Sequence, residues 1–343
     1  MTPLSRQVLN WISVYALAAL VFTFSVTHIA YAQSTGQELD LSTQSGDVTI
    51  SAGGAWTLSG TLDGGVVVDV GTEDVTLILD GVDITNSDGP AIAFVSAGEI
   101  TITTTADSTN TLADRDGTEM DAAIWAQSSI TLEGEGTLDV TAWNEGIETE
   151  GDITINGGTL LVHAGDDGLN ANTDGTSQIT INDGTVFVET TAGDGIDSNG
   201  GIEINGGTVV SYGAMVDGNS GLDADGSVVI NGGTVVASGG MMMQIDASST
   251  QQIAWITGDG NIAAGTGVVV QNGDGVVIAL TPITEVQSLM ISTPALDLAA
   301  TNDVYLGGTF EVDQTTLASG EITDMGSISG TISAENPGGS FRP

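Results

Sequence analysis

The strings ITINGGTL (residues 153–160), ITINDGTV (179–186), IEINGGTV (202–209) and VVINGGTV (228–235) are four copies of one pattern. Their starts stand 26, 23 and 26 residues apart, and a weaker copy, ITLEGEGTL, begins at Ile130. ITITTTADSTNTL from Ile100 and VTLILDGVDIT from Val75 extend the series toward the N-terminus. Self-similarity at such a period marks an array of small units that stack on one another. Each copy holds three short β-patterned pieces. One is I-T-I ahead of an N-G-G turn. The next is T-L-L-V-H or T-V-F-V-E behind it. The third is G-[IL]-x-[TAS]: Gly146-Ile147-Glu148-Thr149, Gly168-Leu169-Asn170-Ala171, Gly195-Ile196-Asp197-Ser198 and Gly221-Leu222-Asp223-Ala224. Three strands and three turns in 23–26 residues form one coil of a parallel β-helix. A single coil cannot bury its apolar face; coils stacked about 4.8 Å apart can.

Alternation places Ile153, Ile155, Ile179, Ile181, Ile202, Ile204, Val228 and Ile230 inside. Asn156, Asn182, Asn205 and Asn231 recur at one turn and are expected to stack as an amide ladder. A propeller blade would need about 40 residues. A leucine-rich repeat would need L-x-x-L-x-L, which is missing here. A nonapeptide calcium roll is suggested by GDGIDSNGG, but its period is less than half of this one.

The same frame sorts the acidic residues. With Ile147, Leu169, Ile196 and Leu222 inward, the following residues point out: Glu148, Asn170, Asp197 and Asp223. Two residues further on stand Glu150, Asn172, Asn199 and Asp225. In the entering turn stand Glu145, Asp167, Asp194 and Ser220, with Asp166 and Asn219 beside them. Carboxylates one coil apart repel by about 1 kcal/mol in water and roughly 3–4 kcal/mol at an effective dielectric near 20. A hard divalent cation relieves this, and Ca²⁺ takes six to eight oxygens from such groups. These columns are therefore candidate Ca²⁺ ligands, set against the plainer reading of a solvated acidic face. The glycine ahead of each inward reference residue is expected at a turn with positive φ. An EF-hand is suggested by Asn170, Asn172, Asp174 and Gly175, but the twelfth position from Asn170 is Ile181, which belongs to the core.

The chain of 343 residues carries 45 acids against three Lys and Arg together, for a net charge of −42. It contains no lysine at all. Such a surface repels nucleic acid and anionic lipid and attracts cations. With no cysteine there is neither a disulfide nor a thiolate metal site. Aromatics make up 4 %, so the core must be aliphatic. Arg6, the apolar stretch from Trp11 to Val26, and Ala30-Tyr31-Ala32 read as a secretory signal peptide over residues 1–32. A retained membrane anchor is the alternative. The organisation expected beyond it is a β-helix over 33–248, a small β-sandwich-like cap over 249–335 and a loose tail over 336–343. VVVQNGDGVVIAL (268–280) has the look of a hairpin. Met241-Met242-Met243 is expected to plug the end of the helix.

These residues resemble a known family, the secreted bacterial carbohydrate-binding β-helix proteins, whose fold is similar to that of family-nine pectate lyases. VTLILDGVDITNSDGPAI (75–92), NTLADRDGTEMDAAIWAQSSITLEGEGTLDVTAWNEGIET (110–149), the N-G-G-T coils and SLMISTPALDLAATNDVYLGG (288–308) carry the resemblance. It implies a right-handed parallel β-helix, bound Ca²⁺, and binding to a plant-type or acidic polysaccharide such as cellulose or polygalacturonate. The family often has a lysine soon after each G-I strand. Here those places hold Glu150-Gly151-Asp152, Asn199-Gly200-Gly201 and Asp225-Gly226-Ser227.

The functional expectation is a secreted or cell-surface, non-catalytic, monomeric polysaccharide binder stabilised by Ca²⁺. A β-helical lyase or glycoside hydrolase is the second reading, and a structural adhesion protein the third. A lyase needs a base, typically Lys or Arg. Arg115 is expected to pair with Asp114 or Asp116, and Arg342 stands in the tail. A hydrolase needs two carboxylates about 5–9.5 Å apart, one of raised pKa. His163, the one histidine beyond the signal segment, is expected to face outward. Trp125 and Trp143 are candidates for stacking on sugar rings, or for covering the core near an atypical end.

Overall fold

A computed structural model describes residues 27–28, 36–115, 120–216, 218–241, 244–333 and 338–340. The signal segment lies outside the described residues except for Thr27–His28, which runs parallel to Val48–Thr49. The architecture is a parallel β-helix with three strands per coil. The first ladder stacks Val48–Ile50, Val66–Asp69, Ile92–Ser96, Ala122–Ala126, Glu145–Thr149, Leu169–Ala171, Ile196–Ser198 and Leu222–Ala224. In the second ladder Ile130 pairs with Ile153, Ile153 with Ile179, Ile179 with Ile202 and Ile202 with Val228. In the third, Leu138 pairs with Leu160, Leu160 with Val186, Val186 with Val209 and Val209 with Val235.

The second and third ladders belong to one 18-stranded sheet, because the early coils span both with single long strands, Gly54–Asp63 and Val75–Asn86. A register shift between Leu58 and Gly60 turns the corner, and Gly60 and Gly81 there have φ of +84° and +74°.

All eight residues expected inside are at most 1 % exposed. Full burial of each such side chain is worth about 1.5–3 kcal/mol. The amide ladder also forms. Asn182 Nδ2 donates to Asn156 Oδ1 at 2.9 Å, Asn205 to Asn182 at 3.0 Å, and Asn231 to Asn205 at 3.0 Å. Asn182 is both donor and acceptor, so Asn182→Ala breaks two bonds and is expected to cost about 1–2 kcal/mol. Urea denaturation of the variant checks this; an unchanged midpoint would make the ladder ornamental.

The two sets of turn glycines do different work. In the N-G-G turns the second glycine needs positive φ, as at Gly158 (+79°), Gly207 (+76°) and Gly233 (+84°). The glycines ahead of the first-ladder strands do not, which corrects the expectation from sequence. Gly146, Gly168, Gly195 and Gly221 are absent from the positive-φ set. They are glycine because of crowding: a Cβ on Gly168 would stand 2.1 Å from Val188 Cγ1 and 2.5 Å from the Gly195 carbonyl oxygen.

The outward face of the third ladder changes character along the helix. Asp139 and Thr141 give way to Phe187, Val210, Tyr212 and Val236. The latter four are buried because the C-terminal part of the chain folds back over them. Ile253–Ile262 and Val286–Ser292 prolong the third ladder in antiparallel sense, and a four-stranded antiparallel sheet completes the second core. That sheet includes the hairpin of Gly267–Asn272 and Gly275–Leu280. Tyr212 Oη lies 2.9 Å from Thr316 Oγ1 across this interface.

The C-terminal unit therefore lines the flank as well as the end of the helix. The end itself is closed by Met290, with Ile245, Ile253 and Trp255 packed against it. Met241 is 41 % exposed and is no plug; Met242 and Met243 lie outside the described residues. Within the expected tail, Gly338–Ser340 pairs in parallel with Trp255–Thr257.

Candidate functional site

The first ladder puts the acidic columns where alternation places them. Trp125 pairs with Glu148, Glu148 with Asn170, Asn170 with Asp197 and Asp197 with Asp223. Beside them, backbone bonds from Gly146 to the Asp167 carbonyl and from Gly168 to the Asp194 carbonyl align Glu145, Asp167 and Asp194. The two columns interdigitate. Asn170 Nδ2 donates to Glu145 Oε2 at 2.7 Å and to Asp167 Oδ2 at 3.5 Å. Asp167 Oδ1 accepts from the Asp194 N–H at 2.6 Å, and Asp194 Oδ1 accepts from the Ser220 N–H.

One carboxylate oxygen from each of Asp194, Asp197 and Asp223 lies within 4.8 Å of the others. Two acceptors in the column, Glu148 Oε2 and Asn170 Oδ1, are buried with no hydrogen-bond donor, although both residues are only 7 % exposed. Burial, followed by the neighbouring negative charges, pushes the acids up. Glu145 is raised to about 9 by burial and then by Asp167. Asp197 is raised to about 7 by burial and then by Asp167, Asp194 and Asp223. Asp194 reaches about 7 and Asp167 about 6, each by burial first and against a backbone hydrogen bond that holds it down. Glu148 and Asp223 move in the same direction for the same first cause.

The outer column behaves differently. Asn172 Nδ2 donates to Glu148 Oε1 at 3.0 Å and Asn199 Nδ2 to Asn172 Oδ1 at 2.9 Å, while Glu150 and Asp225 are exposed at its ends. Asp166 stands at the rim near Asp167, and the Asn219 amide is turned to the Ala192 carbonyl. Asp174 is exposed on its turn.

Sequence reasoning overlooked Asp121. Its carboxylate accepts from Asn144 Nδ2 at 2.8 Å and adds to the negative field at Glu145, Glu148 and Asp114. Its coil lacks the N-G-G marker, so periodicity alone gives it no register. Arg115 shares a groove with Asp63 and Asp83. The Asp114 carboxylate instead accepts the Trp143 N–H at 2.6 Å, and Asp116 lies outside the described residues.

Trp125 is half-buried at the head of the acidic column, whereas Trp143 is 64 % exposed. Trp143 stands at the edge of an open groove of about 600 Å³, together with Asn144, His163, Asp166, Glu189 and Thr191. His163 faces outward, with Nδ1 3.3 Å from Glu189 Oε2; that contact raises its pKa more than burial lowers it.

An acidic, strand-borne ladder thus stands beside an exposed indole on a parallel β-helix, on an open surface and not in an enclosed pocket. Residues 44–288 match the family model of carbohydrate-binding domain-containing proteins, and the chain belongs to that family. A carbohydrate-binding domain-containing protein of Acetivibrio thermocellus is 37 % identical over 135 residues, which cover 36 % of this chain and 47 % of the relative. The chain thus spans about half the length of that relative. A polysaccharide lyase-like protein from C. thermocellum, solved as its gadolinium derivative, is similar at 30 % identity with a TM-score of 0.46. That likeness covers 62 % of this chain and 97 % of the other.

Proposed function

We propose that the chain is a secreted, non-catalytic module that binds a plant-type polysaccharide outside the cell and is held together by Ca²⁺ along its acidic ladder. The observation that carries the calcium part is the pair of buried, donorless acceptors, Glu148 Oε2 and Asn170 Oδ1, in line with the Asp194–Asp197–Asp223 cluster. A buried acceptor without a partner costs about 1–3 kcal/mol, and like charges nearby add to that. An oxygen-loving divalent ion removes both costs at once. Asp194, Asp197 and Asp223 would hold one ion, and Glu145, Glu148, Asp167 and Asn170 would serve the coils below. The ion would supply charge neutralisation between coils and leave the backbone ladder as it stands.

The non-catalytic reading rests on the missing lysine and on the groove that Arg115 lines, which holds none of the column acids. Arg115 shares its groove with Asp63 and Asp83. One observation favours a hydrolase instead: Glu145, held protonated near neutrality, neighbours Asp167, and an acid paired with an ionised carboxylate is what glycoside cleavage requires. Ca²⁺ binding would draw Glu145 into its ionised form and remove that acid.

Incubation with insoluble cellulose and with polygalacturonate in 1 mM CaCl₂ separates these readings. Depletion of the protein from the supernatant with neither reducing ends nor unsaturated product is expected. Release of either product would overturn the non-catalytic reading.

A further inference from the structure

Trp143 is large, apolar and 64 % exposed on a turn whose backbone is firmly held. Its N–H donates to the Asp114 carboxylate at 2.6 Å. The next rung of its column is Gly165, whose N–H donates to the Ala142 carbonyl, and a Cβ on Gly165 would lie 1.8 Å from the Trp143 carbonyl oxygen. The rung after that is Thr191, bonded through its N–H to Ala164 and through Oγ1 to the Gly165 carbonyl. Elsewhere in a stacked coil the neighbouring side chain covers a ring. Here the neighbour has none, so the indole borders an open shelf two coils, or roughly 10 Å, long. His163 and Glu189 line the same groove, paired at 3.3 Å and both partly exposed. With Nδ1 turned to Glu189, His163 leaves Nε2 for a ligand, and Glu189 keeps a second oxygen. In the same groove the Asn144 amide is fixed by Asp121 at 2.8 Å.

An exposed aromatic face flanked by a few oriented polar groups is the form of a sugar subsite. Its position on a held backbone means little ordering is needed on binding. Its charge selects the ligand. Asp166 and Glu189 line the groove against one imidazole, with no lysine or arginine among its lining residues. A uronate carboxylate would meet two of its own sign. We infer that this groove is the sugar-binding subsite and that it takes a neutral pyranose of a polysaccharide chain, stacked on Trp143 and hydrogen-bonded by His163 and Glu189. The inference rests on the carbohydrate-binding reading and narrows the polysaccharide to the neutral class.

Titration calorimetry of the full chain in 1 mM CaCl₂ tests it, with cellohexaose, xylohexaose, mannohexaose and hexagalacturonate as probes and insoluble cellulose in a parallel pull-down. Binding of at least one neutral hexaose is expected, weakened tenfold or more in Trp143→Ala and only a few-fold in Trp143→Phe. Since Trp143 is exposed, its melting temperature should not move, and an unchanged melt certifies the folded variant. Equal neutral-sugar binding by wild type and Trp143→Ala overturns the subsite. Binding of hexagalacturonate alone overturns the neutral class while leaving carbohydrate binding intact. A wild-type chain that binds no probe and no cellulose overturns both.

Discussion

Chelation of Ca²⁺ at pH 8 is expected to lower the melting temperature by roughly 10–20 °C. One site kept at a hundred times its dissociation constant adds about 2.7 kcal/mol to stability, and two such sites add about 5 kcal/mol. For a chain of this size each kcal/mol moves the midpoint by about 2–4 °C. The pH dependence fixes the sign more sharply. Asp194 and Asp197 (about 7), Asp167 (about 6) and Glu145 (about 9) all lie above their ordinary values of 3.8 and 4.5. The folded state therefore prefers their protonated forms. The stability that this preference contributes is complete below about pH 4 and is lost as pH rises through 6 to 9.

In chelator the protein should thus melt at progressively lower temperature between pH 5 and pH 9. In CaCl₂ the fall should be flattened, because the ion needs the same groups ionised. Calorimetric scans in EGTA and in 1 mM CaCl₂ at pH 5 and pH 8 make the comparison. Identical melts at pH 8 would remove calcium from the account. Asp197→Asn should act in opposite directions in the two buffers, raising the midpoint in EGTA by relieving repulsion and lowering it in CaCl₂ by removing a ligand.

Gly168→Ala is expected to destabilise the helix by about 3 kcal/mol, the upper end of the usual cost of overpacking by one methyl group. The added carbon would stand 2.1 Å from Val188 Cγ1 and 2.5 Å from a carbonyl oxygen of the next coil, and a stacked backbone cannot retreat without opening its ladder. Gly175→Ala is the control. It has open space around its Cβ and a φ of +68°, so the change costs only the left-handed backbone, about 1 kcal/mol. Urea denaturation of the two variants separates crowding from backbone conformation. Equal costs would mean that the first-ladder glycines are not packed as the structure has them.

Much of the solenoid can be read without coordinates. The period of ITINGGTL fixes the coil, alternation fixes Ile153 and Ile155 as core, and the recurrence of Asn156, Asn182, Asn205 and Asn231 gives the amide ladder its register. These features are local and repeat, so each copy confirms the last. The acidic columns follow from the same register, which is why Glu148, Asn170, Asp197 and Asp223 pair as expected. Where the marker fails, so does the reading. Asp121 has no N-G-G to align it, and the long strands Gly54–Asp63 and Val75–Asn86 hide a corner that periodicity cannot see.

Other features depended on tertiary packing. Phe187, Val210 and Tyr212 alternate outward on a strand, and nothing local says that a second sheet will cover them. The first-ladder glycines are glycine because of atoms one coil away in Val188 and Gly195, not because of their own φ. Exposed Trp143 and half-buried Trp125 occupy comparable places in the sequence; only the stacking of Gly165, which has no side chain, on one of them leaves its ring bare. The sequence by itself determined the coil, its core and its acidic register, because these depend on period alone. Only the tertiary structure decided which acceptors are left without donors and which ring stays bare, because both depend on what the neighbouring coil supplies.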